Sequence, residues 1–380
     1  MNDRTEFSGL ELRSLITPEG ELRLWLEEAP ARELAADEVL VRVEATPINP
    51  SDQGLLLGPA DLSTLRAGGT PERPTLTATI PEARLASVAG RIDTPLPVGN
   101  EGAGHVVAAG AEATALLGRI VATRAGGMYA HYRVAKAAEC LALPDGVTAK
   151  DGASAFINPL TALGMVETMR REGHSALIHT AAASNLGQML NRLCLADGIA
   201  LVNVVRNESQ AELLRQAGAA HVVDSSQPRF VDDLVEAISA TGATLAFDAI
   251  GGGTLAATIL KSIETVLSRG AAFDRYGSAV NKQVYIYGGL DPSPTVLDRS
   301  FGMAWGIGGW LVTWFLAKIG PQDAARLRDR VAAELTTTFA STYTAEISLV
   351  EMLSPDVVRA YAKRATGEKY LVTPSAMREP

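Results

Sequence analysis

Residues 176–207 read ALIHTAAASNLGQMLNRLCLADGIALVNVVRN. The first four residues form a short apolar run bounded by a turn of small side chains, which reads as a buried strand. Residues 184–196 place Leu186, Met189, Leu190 and Leu193 at helical spacing, one face of an amphipathic helix. Residues 199–205 (IALVNVV) form a second apolar strand. A strand, a helix and a strand in this order make a βαβ unit, because parallel neighbours need a long crossover. The rhythm continues downstream. A helix over 209–216 stops at Gly218, and a short strand follows over 221–223. Then come a helix over 230–239, a strand over 245–250, a helix over 257–267 and a strand over 284–287. This alternation predicts an α/β domain built on a doubly wound parallel sheet.

Upstream the pattern changes to antiparallel β. Residues 21–26 alternate, and 38–44 set Val39, Val41 and Val43 on one face. Residues 105–109 and 119–123 are further strand candidates. Residues 53–97, rich in proline and glycine, read as a long loop excursion with one helix near 60–67. At the other end, a helix is expected over 324–335. A strand over 369–373 closes the chain and is placed to return to the first domain. Composition fits an ordinary globular protein: 380 residues, 47% hydrophobic and 20% charged. The net charge of −9 gives no electrostatic footprint for nucleic acid or for an acidic membrane surface. Two cysteines support neither a disulfide framework nor a four-thiolate zinc site. Residues 301–317 carry no charge, but four glycines weaken them as a membrane helix, so a buried strand, turn and helix is expected. With no signal-peptide core at the N-terminus, the expectation is a reduced, cytoplasmic protein.

The turn at 180–187 has the place of a dinucleotide-binding loop, where backbone N–H groups at a helix N-terminus meet a pyrophosphate. Of the glycines usual there, Gly187 remains. Ser184 and Asn185 add polar side chains. An NAD-binding sheet ends its second strand in an acidic residue about 20 positions later, to hold the ribose 2′-hydroxyl. Here that place holds Arg206, 19 positions after Gly187. Arginine suits a 2′-phosphate through charge-assisted hydrogen bonds. The plainer alternative is a solvated surface arginine.

Several segments together resemble the medium-chain dehydrogenase/reductase superfamily, in its zinc-free quinone-oxidoreductase-like branch. They are INPSD (48–52), VGNEGAG (98–104) followed by HVVAAG, NPLTA (158–162), the turn AAASNLGQ, and FDAIGG (247–252). Within that branch, GNEG (99–102), NVVR (203–206), YGGL (287–290) and GWLVTW (309–314) are similar to segments of mitochondrial-type trans-2-enoyl-thioester reductases. The resemblance implies a GroES-like, mostly antiparallel β catalytic domain over 1–155 and 319–380, and a Rossmann-type NADPH-binding domain over 156–318.

It also implies a cofactor site. Asn158, Thr161, Ala183, Ser184, Asn185, Leu186 and Gly187 would line NADPH. So would Arg206, Asn207 and Glu208 beyond the second strand, and Tyr287, Gly288, Gly289 and Leu290 beyond a later one. Gly309, Trp310, Leu311 and Lys369 complete the set. Asn49 and Asp52 would border the substrate as catalytic residues. Asn49 either orients a substrate carbonyl or steadies the turn at Pro50. No metal is expected: INPSD lacks a cysteine, and the histidine of the zinc enzymes' GHE motif is Asn100. The reductases' catalytic tyrosine falls near Ala60, and no tyrosine stands between Asp52 and Met128. The expected activity is therefore zinc-independent, NADPH-dependent hydride transfer to a small quinone or α,β-unsaturated carbonyl. Two alternatives stay open: an enoyl-thioester reductase with another proton donor, or a non-catalytic NADPH-binding scaffold. The expected assembly is a homodimer paired edge to edge through a strand near 303–311.

Overall fold

A computed structural model describes residues 7–30, 32–363 and 366–375. The chain divides into two compact units. One takes residues up to Ile157, Val331–Thr336 and residues from Ala340 onward. The other takes Asn158–Arg330 and Thr337–Phe339. The sequence reading puts the return to the first unit at 319. In the structure, helix Pro321–Ala333 stays with the second unit through Arg330, whose guanidinium reaches Asp197 at 2.6 Å.

The second unit is built on six parallel strands. In spatial order they are His221–Asp224, Ala200–Val205, Ala176–His179, Leu245–Asp248, Lys282–Ile286 and Trp305–Gly309. Numbered along the chain, the order is 3-2-1-4-5-6, the dinucleotide-binding arrangement in which strand order reverses beside the first strand. Val202, Ile178, Ala246 and Val284 pack from this sheet against Leu234, Ile238, Ile259, Leu260 and Ile263 of two helices. The residues at 301–317 form the expected strand and helix, Trp305–Gly309 and Val312–Ile319, but the strand is half-buried rather than buried. Among the described residues no helix is long and apolar enough to cross a membrane.

The first unit carries two sheets, antiparallel but for one parallel pair. Strand Glu38–Pro47 is the axis of the larger one, with Gly102–Ala109 and Tyr132–Lys136 paired antiparallel to it. Strand Tyr370–Val372 does return here, with Leu371 opposite Pro47. The smaller sheet pairs Ser8–Ile16 with Glu21–Pro30. The excursion 53–97 differs from the loop and helix read from sequence. Asp61–Gly69 and Pro74–Thr79 form a hairpin that extends this sheet, with Leu76 opposite Leu24 and Ala78 opposite Leu22. The three-residue spacing of Leu62 and Leu65 suggests a helix. The alternating threonines of 75–79 and the burial of Leu65, Leu76 and Ala78 favour pairing instead.

Candidate active site

In the second unit, the turn after strand Ala176–His179 is stiff. Thr180 Oγ1 donates to Asp248 Oδ1 at 2.7 Å. Asp248 also accepts from the backbone N–H groups of Ile250 and Gly251. Ser184 caps helix Asn185–Asp197, its Oγ accepting from Gly187 N. Glycine is required at 187: a Cβ there would lie 2.1 Å from Ala182 O, so the helix could not close on the turn. Ala183 is buried and Leu186 nearly so, while Asn185 is half-buried.

Strand Ala200–Val205 ends in Arg206, which is exposed. No acidic side chain pairs with its guanidinium among the described residues. The polar neighbours are otherwise engaged. Asn207 caps helix Glu208–Gln216, and Glu208 pairs with Arg215. A solvent-facing cation at the end of the second strand, with no carboxylate beside it, fits a phosphate-bearing ribose better than a free 2′-hydroxyl.

Tyr287 follows strand Lys282–Ile286. Its hydroxyl lies 2.7 Å from Nε2 of His179, and the two rings stack at 19°. Burial pushes the His179 pKa down to about 3 and lifts the Tyr287 phenol above its usual range. Leu290 N donates to Ala249 O, which fixes the backbone across Gly288 and Gly289. Gly309 and Leu311 are exposed, but Trp310 is not. Its indole donates to Thr168 Oγ1 at 3.1 Å and lies edge-on to Phe247. Thr161 is buried and Asn158 half-buried on helix Ile157–Arg171.

In the first unit, INPSD and GNEG form one buried polar cluster. Asn49 N donates to Asp52 Oδ2, and Asn100 N to Asp52 Oδ1, each at 2.8 Å. Asn49 Nδ2 donates to Glu101 Oε1, and the backbone N–H groups of Phe156 and Ile157 donate to Glu101 Oε2. Burial raises the pKa of Asp52 to about 7 and also raises that of Glu101, which the charge of Lys369 opposes. Tyr129 is fully buried, with its hydroxyl on Pro47 O. Ala60 packs on the first unit's core just before the hairpin. Lys369 Nζ donates to Ser154 Oγ at 2.7 Å, and Ser154 Oγ lies 2.8 Å from the Tyr343 hydroxyl. Ser154 and Tyr343 escape sequence reasoning because neither sits in a motif. Only the pairing of two distant strands brings Tyr343 near Lys369.

A family profile described as zinc-binding dehydrogenase matches residues 186–271. The chain is 30% identical over 186 residues to the synaptic vesicle membrane protein VAT-1 homolog of Rattus norvegicus, covering 47% of this chain and 46% of that protein. It is 26% identical over 269 residues to the mitochondrial enoyl-acyl-carrier-protein reductase of Homo sapiens, covering 66% and 62%. The chain thus spans about half the length of the first of these relatives. A solved structure from Mesorhizobium loti, assigned as an NADPH:quinone reductase, superposes with a TM-score of 0.73 at 26% identity, covering 98% of this chain and 100% of that one.

Proposed function

This chain is a member of the medium-chain dehydrogenase/reductase superfamily, and from that premise we propose that it is a zinc-independent, NADPH-dependent oxidoreductase that reduces a quinone or an α,β-unsaturated carbonyl. The observation that carries the reading is Arg206, an exposed cation without a carboxylate partner among the described residues, ending the second strand of a 3-2-1-4-5-6 sheet.

In this reading the bound cofactor supplies hydride, and the protein supplies orientation and electrostatics. The N-terminus of helix Asn185–Asp197 would hold the pyrophosphate, Arg206 the 2′-phosphate, and the backbone of 287–290 with Thr161 the nicotinamide. Asn49, Asp52 and Glu101 hold the INPSD loop in one geometry. Both Glu101 carboxylate oxygens are engaged by N–H donors, which supports a scaffolding role over metal ligation. The half-buried strand Trp305–Gly309 ends its sheet, with Met303, Leu311 and Trp314 exposed nearby. That edge supports a homodimer closed by strand pairing.

Ala60 offers no acidic proton, so a quinone, whose reduced form takes protons from water, is the favoured substrate. The human relative's name keeps a second substrate class in view, the enoyl thioester. The test is kcat/KM with NADPH on a small quinone and on a short enoyl thioester, side by side. The expected result is turnover of both, with the quinone faster. A clear advantage for the enoyl thioester would overturn the ranking, and no NADPH oxidation with either would overturn the enzyme reading.

A further inference from the structure

One face of the second unit's sheet carries a row of polar side chains that the apolar core does not explain. His179 ends strand Ala176–His179 and Asn203 lies in strand Ala200–Val205; both are fully buried, and Asn191 on helix Asn185–Asp197 is nearly so. At one end of the row, His179 Nε2 lies 2.7 Å from the Tyr287 hydroxyl. At the other, Asn203 Nδ2 donates to Asn191 Oδ1, and Asn191 Nδ2 donates to Ala217 O, each at 3.3 Å. Two atoms between these ends, His179 Nδ1 and Asn203 Oδ1, have no partner among the described residues. They belong to matched positions, because His179 is opposite Asn203 in the parallel pairing of the two strands. Side chains at matched positions share one face of a sheet. Buried polar atoms are normally paired, and an internal water commonly pairs those that no side chain reaches. The tautomer follows from the hydroxyl. If Nε2 carries the ring proton, it donates to the phenol oxygen, and the phenol proton has no acceptor among the described residues. If Nδ1 carries it, Nε2 accepts from the phenol and Nδ1–H turns towards the Asn203 side.

We propose that His179, as the neutral Nδ1–H tautomer, shares one buried water with Asn203 and so positions the segment Tyr287–Leu290. The hydrogen bonds then run in one direction. Tyr287 O–H donates to His179 Nε2, His179 Nδ1–H to the water, and the water to Asn203 Oδ1. Asn203 donates to Asn191, and Asn191 to the carbonyl of Ala217, which caps helix Glu208–Gln216. Every link lies within the second unit. Burial, which takes the His179 pKa down to about 3, keeps the ring neutral at pH 7. The backbone of the segment is tied separately: Tyr287 N donates to Asp248 O, and Leu290 N to Ala249 O. A Cβ on Gly288 would stand 2.7 Å from Ala249 O, so the segment packs closely on that strand end. His179 adds the tie on the tyrosine side chain. It is a positioning residue, and its bearing on a cofactor rests on the oxidoreductase reading above, which sets 287–290 beside the nicotinamide. The same tautomer turns the phenol proton into the sheet, so Tyr287 gives no proton to a substrate.

Two measurements on the free protein test the hydrogen-bonded line. In the first, histidine is labelled with nitrogen-15 and the ring nitrogens are read by NMR at pH 7, the His179 signals being those lost in His179→Gln. A protonated Nδ1 and a bare Nε2 are expected. A protonated Nε2 with a bare Nδ1, or an imidazolium, would overturn the proposal. The second is a high-resolution crystal structure of the free protein. One ordered water within hydrogen-bond reach of both His179 Nδ1 and Asn203 Oδ1 is expected, and direct contact of the two side chains or a dry interior there would overturn the water site. The positioning role is read by NADPH affinity in His179→Leu and His179→Gln. Glutamine can still accept from the Tyr287 hydroxyl, whereas leucine cannot. Affinity should fall roughly 5- to 10-fold in His179→Leu, the size of one net hydrogen bond, and stay within about 2-fold of wild type in His179→Gln. Tyr287→Phe, which keeps the ring and removes only the hydroxyl, should match His179→Leu and serves if that variant does not fold. Wild-type affinity in His179→Leu or Tyr287→Phe, or no rescue by glutamine, would overturn the positioning role. A wild type that binds no NADPH would overturn the cofactor reading instead, while the tautomer and the water would still be decided in the free protein.

Discussion

His179 is wholly buried, with Nε2 on the Tyr287 hydroxyl and Nδ1 without a partner among the described residues. Nothing anionic compensates a proton there, so burial takes its pKa from 6.5 down to about 3. The folded protein therefore binds fewer protons at this site than the unfolded chain between those values. The stability it contributes is complete above pH 6.5 and is lost as pH falls towards 3. His179→Gln removes this titration while keeping a polar partner for Tyr287. Urea unfolding at pH 7 and pH 5 should show a smaller acid loss in the variant than in the wild type. Equal losses would mean that His179 keeps an ordinary pKa in the fold. Asp52 acts in the opposite direction. Its pKa is raised to about 7, so its charging weakens the fold as pH climbs from about 4 to 7. Comparing variant with wild type at each pH isolates the histidine from that slope.

Elements differ in how far the sequence reveals them. The stretch 176–207 is legible because apolar period, helix cap and turn agree: Ser184 stands at the N-cap and Gly198 ends the helix in the left-handed conformation. The hairpin 61–69/74–79 is not legible. Its pairing partner, Glu21–Pro30, is distant in sequence, with Glu21 opposite Thr79 and Trp25 opposite Thr75, and Leu62 and Leu65 share a spacing common to helix and coil. The indole of Trp310 is a similar case. Its packing is set by residues distant in sequence: Phe247, Phe315 and Thr168 hold the ring in the core. Glycine at 164 leaves room for it, because a Cβ there would stand 3.0 Å from the indole. Strand Trp305–Gly309 was placed by sequence as an apolar edge, and it does end its sheet. Edge pairing through it predicts a solution mass by light scattering of twice the 40.0 kDa chain at micromolar concentration. A mass of one chain would contradict the dimer.

At the scale of the whole molecule, the sheet order and the cofactor preference have the same origin. A 3-2-1-4-5-6 sheet carries its second strand to the ribose end of a dinucleotide, so the residue closing that strand selects between NAD and NADP. Here that residue is Arg206, and its neighbours Asn207 and Glu208 are committed to a helix cap and an ion pair. The most direct measurement is the affinity of wild type and Arg206→Ala for NADPH and for NADH, read by quenching of protein fluorescence. The wild type should bind NADPH more tightly. The substitution should cost NADPH about 1.5–3 kcal/mol, the scale of hydrogen bonds to a charged group, or roughly 10- to 150-fold, and leave NADH nearly unchanged. A wild type that favours NADH, or an equal loss for both cofactors, would contradict an NADPH-dependent enzyme read through Arg206.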